Sequence, residues 1–272
     1  MALDDTDREN DPADPENDVS VRSTREAGVR VDGVSKRYSS EGSSVQALKG
    51  VSFEVVPGEF VCVVGPSGSG KTTLFRIIAG LERPTDGSVY LDGDRVEEPG
   101  PEMGIVFQEY HLFPWRTVRG NVAFGLEKRG VPAGKRNRRV RELLELVGLE
   151  EFGDAYPKEL SGGMKQRVGI ARALAVEPDL LLMDEPFGAV DAQTRGILQD
   201  ELLDLWQHTG KTVLFVTHDV EEAVKLADRI VVMDADPGRV REIVDVDLPR
   251  PRSRSDEGFG EYYERVLELI RE

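Results

Sequence analysis

Residues 60–64, Phe-Val-Cys-Val-Val, form a continuous apolar run that reads as a strand covered on both faces of a sheet. It leads without a break into Gly65, Pro66, Ser67, Gly68, Ser69, Gly70, Lys71 and Thr72, and then into a helix-like stretch that opens at Thr73. That order satisfies G-x-x-x-x-G-K-[ST] in full, with the strand before it and the helix after it that the pattern requires. The glycines let backbone N–H groups close round phosphate oxygens, and the helix N-terminus adds its dipole. Lys71 has the reach to neutralise outer phosphates, and the Thr72 hydroxyl is a ligand type that Mg2+ accepts. Alone, the pattern specifies a nucleotide phosphate site and leaves the reaction open.

The rest of the chain supplies a frame for such a loop. Apolar or alternating runs at 29–34, 51–56, 88–91, 104–107, 180–183, 213–216 and 230–233 read as strands, with a Ser/Gly-rich connection at 39–44. Helical spacing is expected over 117–149, from 162 onward, over 197–206 and over 221–226. Strands alternating with helices predict an α/β core with a parallel sheet. Residues 249–255 read as a linker and 262–270 as a short amphipathic helix.

Two further segments carry chemistry. The strand at 180–183 ends in Asp184 and Glu185, which puts Asp184 at the carboxyl edge of the sheet beside the phosphate loop, where it can hold a Mg2+ shell. Glu185 is then placed to polarise an attacking water. A Leu-Ser-Gly-Gly run, with Ser161, Gly162 and Gly163, stands before a helix with apolar side chains at Met164, Val168, Ala171 and Leu174, and makes a second anion-binding helix end. With these three segments together, the chain resembles the ATP-binding subunit of an ABC transporter.

That resemblance covers roughly residues 29–245. It implies a P-loop NTPase core, an antiparallel β subdomain near the N-terminus and an inserted helical subdomain at about 109–175. It also implies ATP and Mg2+ as cofactors, the nucleotide bound by the loop from Gly65 through Thr72 and Thr73, and ATP hydrolysis as the activity. Two chains would pack head to tail, so that Ser161 and its helix end bind the γ-phosphate held by the partner's phosphate loop. By the same resemblance Tyr38 stacks on adenine, and Gln108 contacts Mg2+ or the water and links the site to a membrane permease. Asp191 touches the opposite nucleotide site, and His218 senses the γ-phosphate. The metal-contacting set is then Thr72, Gln108 and Asp184; the catalytic set is Lys71, Gln108, Glu185 and His218. Two positions depart from the pattern: Gly188 replaces the usual serine of the Asp191 loop, and Met164 stands where many members have Gln.

The finer pattern points to a subgroup. His-Leu-Phe-Pro-Trp-Arg-Thr-Val at 111–118, Leu-Ser-Gly-Gly-Met, Pro-Phe-Gly-Ala-Val-Asp at 186–191 and Leu-Pro-Arg-Pro-Arg at 248–252 look like the nitrate/sulfonate/taurine importers. Import of a small oxyanion is therefore expected, with the solute held by a binding protein and the permease. Phe113, Pro114 and Trp115 either form an interface patch for the permease or fill the helical subdomain. An exporter ATPase is the alternative within the family. A DNA-repair or chromosome type would carry a long coiled coil between phosphate loop and signature, which this chain lacks, and a P-loop kinase would lack the signature.

Composition narrows the setting. Thirty-five basic against 51 acidic residues give a net charge of −16, which argues against non-specific grip on nucleic acid. One cysteine, Cys62, forbids an intrachain disulfide and points to a reducing compartment. No apolar run approaches the roughly 20 residues of a membrane span, so the expected location is peripheral, on the cytoplasmic face of the membrane. Residues 1–27 carry nine acids and three arginines and read as a disordered acidic tail. Only nine of the 35 basic residues are lysine, a bias shared with proteins of salt-accumulating, halophilic cytoplasms.

Overall fold

In the computed structural model the described residues are 28–40, 43–188 and 190–271. The expected acidic tail, 1–27, lies outside them. Two sheets and a set of helices share the chain. A four-stranded antiparallel sheet has the order β2-β1-β4-β5, built from β1 (Val29–Ser40), β2 (Ser43–Val55), β4 (Asp86–Leu91) and β5 (Asp94–Arg95). A six-stranded sheet has the order β10-β9-β3-β8-β7-β6. Its members are β3 (Phe60–Val64), β6 (Met103–Val106), β7 (Leu180–Asp184), β8 (Thr212–Val216), β9 (Arg229–Asp234) and β10 (Arg239–Asp245).

Five strands of the larger sheet run parallel, as the alternation of strand and helix predicts, and β10 pairs antiparallel with β9 at one edge. Sequence reading did not mark β10: its stretch, Arg-Val-Arg-Glu-Ile-Val-Asp, is half polar, as suits an edge strand. Alternate residues of the buried strands serve opposite faces. Cys62, Met183 and Phe215 join one cluster with the helices; Val61, Val63, Leu182 and Val216 join another with the antiparallel sheet.

The helices start where the caps stand. α1 (Lys71–Ile78) follows the phosphate loop, and α2 (Val118–Lys128) begins at Thr117, whose side chain accepts from Gly120 N. The helical stretch expected over 117–149 is broken between α2 and α3 (Ala133–Leu146), where Gly130 takes φ 68° and Pro132 precedes the next helix. α4 (Gly162–Ala175) is capped by Ser161, α5 (Ala192–Thr209) by Asp191, and α6 (Val220–Leu226) by Asp219. α7 (Phe259–Arg271) closes the chain and packs against α6 and β9.

The stretch read as a linker before α7 is pinned. The Arg252 guanidinium is 4% exposed and donates to the carbonyls of Val224, Ala227, Val246 and Leu248. Arg250 pairs with Asp228 at 2.6 Å and lies over the Trp206 ring. Orphan carbonyls at the end of α6 are thereby satisfied by side chains from a segment whose sequence carries the Pro-rich look of a free connection.

Candidate functional site

Four parallel strands end at one edge of the sheet, and each delivers a candidate residue there: β3 the phosphate loop, β6 Gln108, β7 Asp184 and Glu185, β8 His218. This is the edge at which open α/β sheets bind ligands. The loop turns on Gly68 and Gly70, with φ 86° and 79°, in the left-handed region. Gly70 is also a close-packing point, since a Cβ there would meet Leu48 Cδ2 at 2.6 Å and Ala47 O at 2.8 Å. Ser67, Gly68 and Thr72 are exposed, Pro66 and Gly70 are half-buried, and Gly65 and Ser69 are buried.

Lys71 is the cation of the loop. Its Nζ donates to Gly65 O at 2.8 Å and Pro66 O at 3.0 Å, so two of its three protons are held by carbonyls and one is left for a ligand. Burial lowers its pKa, while Glu185 and Asp184 act against that shift. Asp184 is pushed up to about 6, first by burial and then by the neighbouring Glu185, with Arg76 and Lys71 opposing.

Asp184 Oδ1 and Ser69 Oγ are buried without a hydrogen-bond partner. A protein interior seldom leaves such atoms unpaired, so both fit a bound group. A buried carboxylate oxygen, a hydroxyl at Thr72 and an amide at Gln108 are the hard oxygen donors that Mg2+ takes alongside substrate phosphates. Among the described residues no cluster of three or more His, Cys, Asp or Glu could hold a metal unaided. A cation here would thus depend on phosphate oxygens for the rest of its shell.

Glu185 occupies a left-handed backbone position, φ 42°, held by its N–H donating to Val216 O at 2.8 Å. Strain of this kind recurs at functional sites. Its Oε2 accepts from His218 Nδ1 at 3.0 Å. A carboxylate only accepts, so the proton sits on Nδ1 and Nε2 is left for a ligand. Gln108 is exposed and its Nε2 lies against Gly188, within 3.3 Å of where a Cβ would stand. The missing serine side chain at 188 is the space that Gln108 borders.

The other predicted residues fall in separate places. Tyr38 is 42% exposed at the end of β1, with Lys36 Nζ 5.1 Å from its ring centre. Hydrogen bonds to Glu82 and Thr73 hold its hydroxyl, and Lys36 pairs with Glu82 at 2.9 Å. Ser161 accepts from Met164 N at 3.3 Å, Gly162 borders the Tyr110 hydroxyl, and Gly163 packs against Thr194 of α5. Asp191 is exposed and accepts from Thr194 N at 3.0 Å. Of the aromatic segment, Phe113 is half-buried and pairs with the half-buried Phe124, ring centres 4.5 Å apart, while Trp115 is 72% exposed. Sequence reading passed over Glu82, Thr217 and Glu222, which support the predicted residues from behind; Glu222 alone left a signal, an acid among the apolar positions of α6.

Residues 48–188 match the family described as ABC transporter. An uncharacterized ABC transporter ATP-binding protein of Methanocaldococcus jannaschii is 52% identical over 257 residues, 94% of this chain and 96% of that one. An aliphatic sulfonates import ATP-binding protein of Bacillus cereus is 47% identical over 240 residues, 88% and 94% of the two chains. A nitrate import ATP-binding protein of Synechocystis is 46% identical over 252 residues, 89% and 95%. Among solved structures, a dimeric ATP-binding cassette in a post-hydrolysis state bound to ADP and Pi aligns with TM-score 0.71 at 35% identity, covering 81% of this chain and all of that one.

Proposed function

The chain belongs to the ABC transporter ATP-binding family and is an ATPase, and from that premise we propose that it energises import of a small oxyanion through a membrane permease. The observation that carries the catalytic part is the meeting of Lys71, Asp184, Glu185 and His218 at one sheet edge, with two buried oxygens left unpaired.

In this reading the backbone of residues 65–70 and Lys71 cradle the phosphates, and Tyr38 stacks on the base. Thr72, Asp184 and Gln108 hold Mg2+, which when bound neutralises charge on the phosphate oxygens. Glu185 orients and deprotonates the attacking water, and His218, anchored through Nδ1, offers Nε2 to the γ-phosphate. Ser161, Gly162, Gly163 and Asp191 serve the nucleotide of a second copy. That Gly162 and Gly163 border Tyr110 and Thr194 and not the phosphate loop, and that the aligned cassette is dimeric, support that division.

The import reading rests on the relatives. Two of them, at 47% and 46% identity, are import ATP-binding proteins for aliphatic sulfonates and for nitrate. These solutes share small size and anionic oxygens, and near-equal identity to both leaves the choice between them to the permease and a solute-binding protein. No helix of the described residues is long and apolar enough to cross a membrane. The exposed Trp115, beside Phe113 and seven residues on from Gln108 in the sequence, is the surface we assign to the permease, at the cytoplasmic face of the membrane. The acidic, lysine-poor surface supports a halophilic setting.

Glu185→Gln tests the catalytic core. The amide keeps the shape and loses the base, so hydrolysis should fall by about 10²–10⁴. ATP should still bind and should accumulate a dimer in size-exclusion chromatography with light scattering. Hydrolysis at the parent rate would remove Glu185 from the chemistry.

A further inference from the structure

Behind His218 lies a carboxylate that the site above does not use. Glu222 is 4% exposed and sits in α6 among the buried Val220, Ala223 and Val224. An acid in that place is costly unless donors meet it, and two do. Gln199 Nε2, on α5, donates to Oε1 at 2.9 Å, and the Thr217 hydroxyl donates to Oε2 at 2.5 Å. Burial still raises the Glu222 pKa, against the pull of these two hydrogen bonds; Asp219 adds to the rise and Arg195 opposes it.

A hydroxyl has one proton. With that proton given to Glu222, Thr217 Oγ1 turns a lone pair to Asp219 N–H, which donates to it at 3.0 Å. On the other side, Thr217 N donates to Val63 O of β3 at 3.1 Å. The peptide after residue 218 is therefore tied to a hydroxyl oriented by Glu222, and residue 217 itself is tied to the sheet. Asp219 completes the frame: Oδ1 accepts from the N–H groups of Glu221 and Glu222, and Oδ2 accepts from Arg195 Nη1 at 3.3 Å. The His218 ring itself is 63% exposed, with Glu185 Oε2 as its recorded side-chain anchor. An imidazole so exposed owes its direction to that one anchor and to its backbone.

We propose that Glu222 is a positioning residue for His218: by taking the Thr217 hydroxyl proton it turns the Thr217 oxygen to the Asp219 N–H, fixes the peptide that follows residue 218 and so aims the ring at the reacting phosphate. The same carboxylate holds Gln199, on the helix that Asp191 caps, so it also joins the Asp191 loop to the His218 loop through one buried group. The inference rests on the role given to His218 above.

The test compares Mg2+-ATP hydrolysis and ATP binding by the full chain and its variants. Misplacement of a working group costs up to about a hundredfold in rate, so Glu222→Ala should lower kcat by about ten- to a hundredfold. KM and the ATP dissociation constant should stay within about twofold of the parent. Glu222→Gln keeps an oxygen for Thr217 and should recover most of the rate. Thr217→Val removes the link with little change of shape and should reproduce the kcat loss, which carries the test if Glu222→Ala does not fold. In a His218→Ala background, Glu222→Ala should cost nothing more, because it acts through the absent ring. Parent kcat in folded Glu222→Ala or Thr217→Val, or losses that multiply in the double variant, would overturn the proposal while leaving His218 in its role. Parent kcat in His218→Ala would overturn both the role and the inference.

Discussion

Lys71 shows how a residue read from a motif acquires its chemistry from its surroundings. Three ammonium protons and two inward carbonyls, Gly65 O and Pro66 O, leave a single direction for a ligand. Burial lowers its pKa and the paired carboxylates of Asp184 and Glu185 sustain its charge. Replacing it by Ala leaves outer-phosphate charge without its nearest cation, and ATP hydrolysis should fall by about 10²–10³, the scale of one preorganised electrostatic contact. Lys71→Arg should not rescue it, because a planar fork cannot satisfy two carbonyls within a cage shaped for a point charge. The check is steady-state hydrolysis beside a thermal melt; near-parent turnover in Lys71→Arg would show that charge alone suffices and that the carbonyl cage does no positioning. Lys71, Asp184 and Glu185 are legible in the sequence because each stands in a short run of fixed spacing, a phosphate loop or a strand end, that marks its place at the sheet edge. Glu222 shows only as an acid among apolar positions, because its role depends on Gln199, 23 residues away on α5, and on a Thr217 hydroxyl whose direction the sequence does not specify.

At the scale of elements, the same distinction separates what could be read from what could not. Buried strands such as β3, β7 and β8 announce themselves by apolar runs, and α4 by its Ser161 cap ahead of helical spacing; α5 and α6 show by spacing alone, and the Asp191 cap starts α5 at Ala192, five residues before the stretch expected. The edge strand β10 hides in a half-polar stretch, and the antiparallel hairpin it makes with β9 props the phosphate loop from outside the motif. Gly238, in its turn, donates to Ala47 O at 3.0 Å and accepts from Lys49 N at 2.9 Å. A Cβ at 238 would collide with the Ser69 carbonyl oxygen, a backbone atom of the loop itself. Overpacking of this kind typically costs about 1–3 kcal/mol, and here it falls on the phosphate cradle. Gly238→Ala should therefore weaken ATP binding by about tenfold while leaving the fold cooperative. Gly134→Ala, where a Cβ finds open space on α3, is the control and should bind like the parent. Titration with a fluorescent ATP analogue decides it: parent affinity in Gly238→Ala would mean that the hairpin does not brace the loop.

Charge acts on the whole molecule. Each chain carries −16, and the proposed working state brings two of them together around two further polyanions. Ion pairs such as Arg167–Glu201, Arg195–Asp219 and Arg229–Glu59 absorb part of the charge within a chain, but acids still outnumber bases by 16, and that net charge opposes association. Screening weakens such repulsion: the Debye length shrinks from about 10 Å at 0.1 M salt to about 3 Å at 1 M. Direct phosphate contacts in the loop are partly buried and are screened less than the exposed surface, so at saturating Mg2+-ATP the surface term should decide the direction. For the Glu185→Gln chain, the ATP-bound dimer fraction should rise as KCl goes from 0.1 M to 1 M, and the thermal midpoint of the nucleotide-free parent should rise with it. Light scattering across that range, with ATP held in excess, tests the first expectation, and a melt series tests the second. A dimer that dissociates as salt rises would mean that opposite charges across the interface outweigh the repulsion between the two acidic chains, and that the acidity serves neither assembly nor a salt-rich setting.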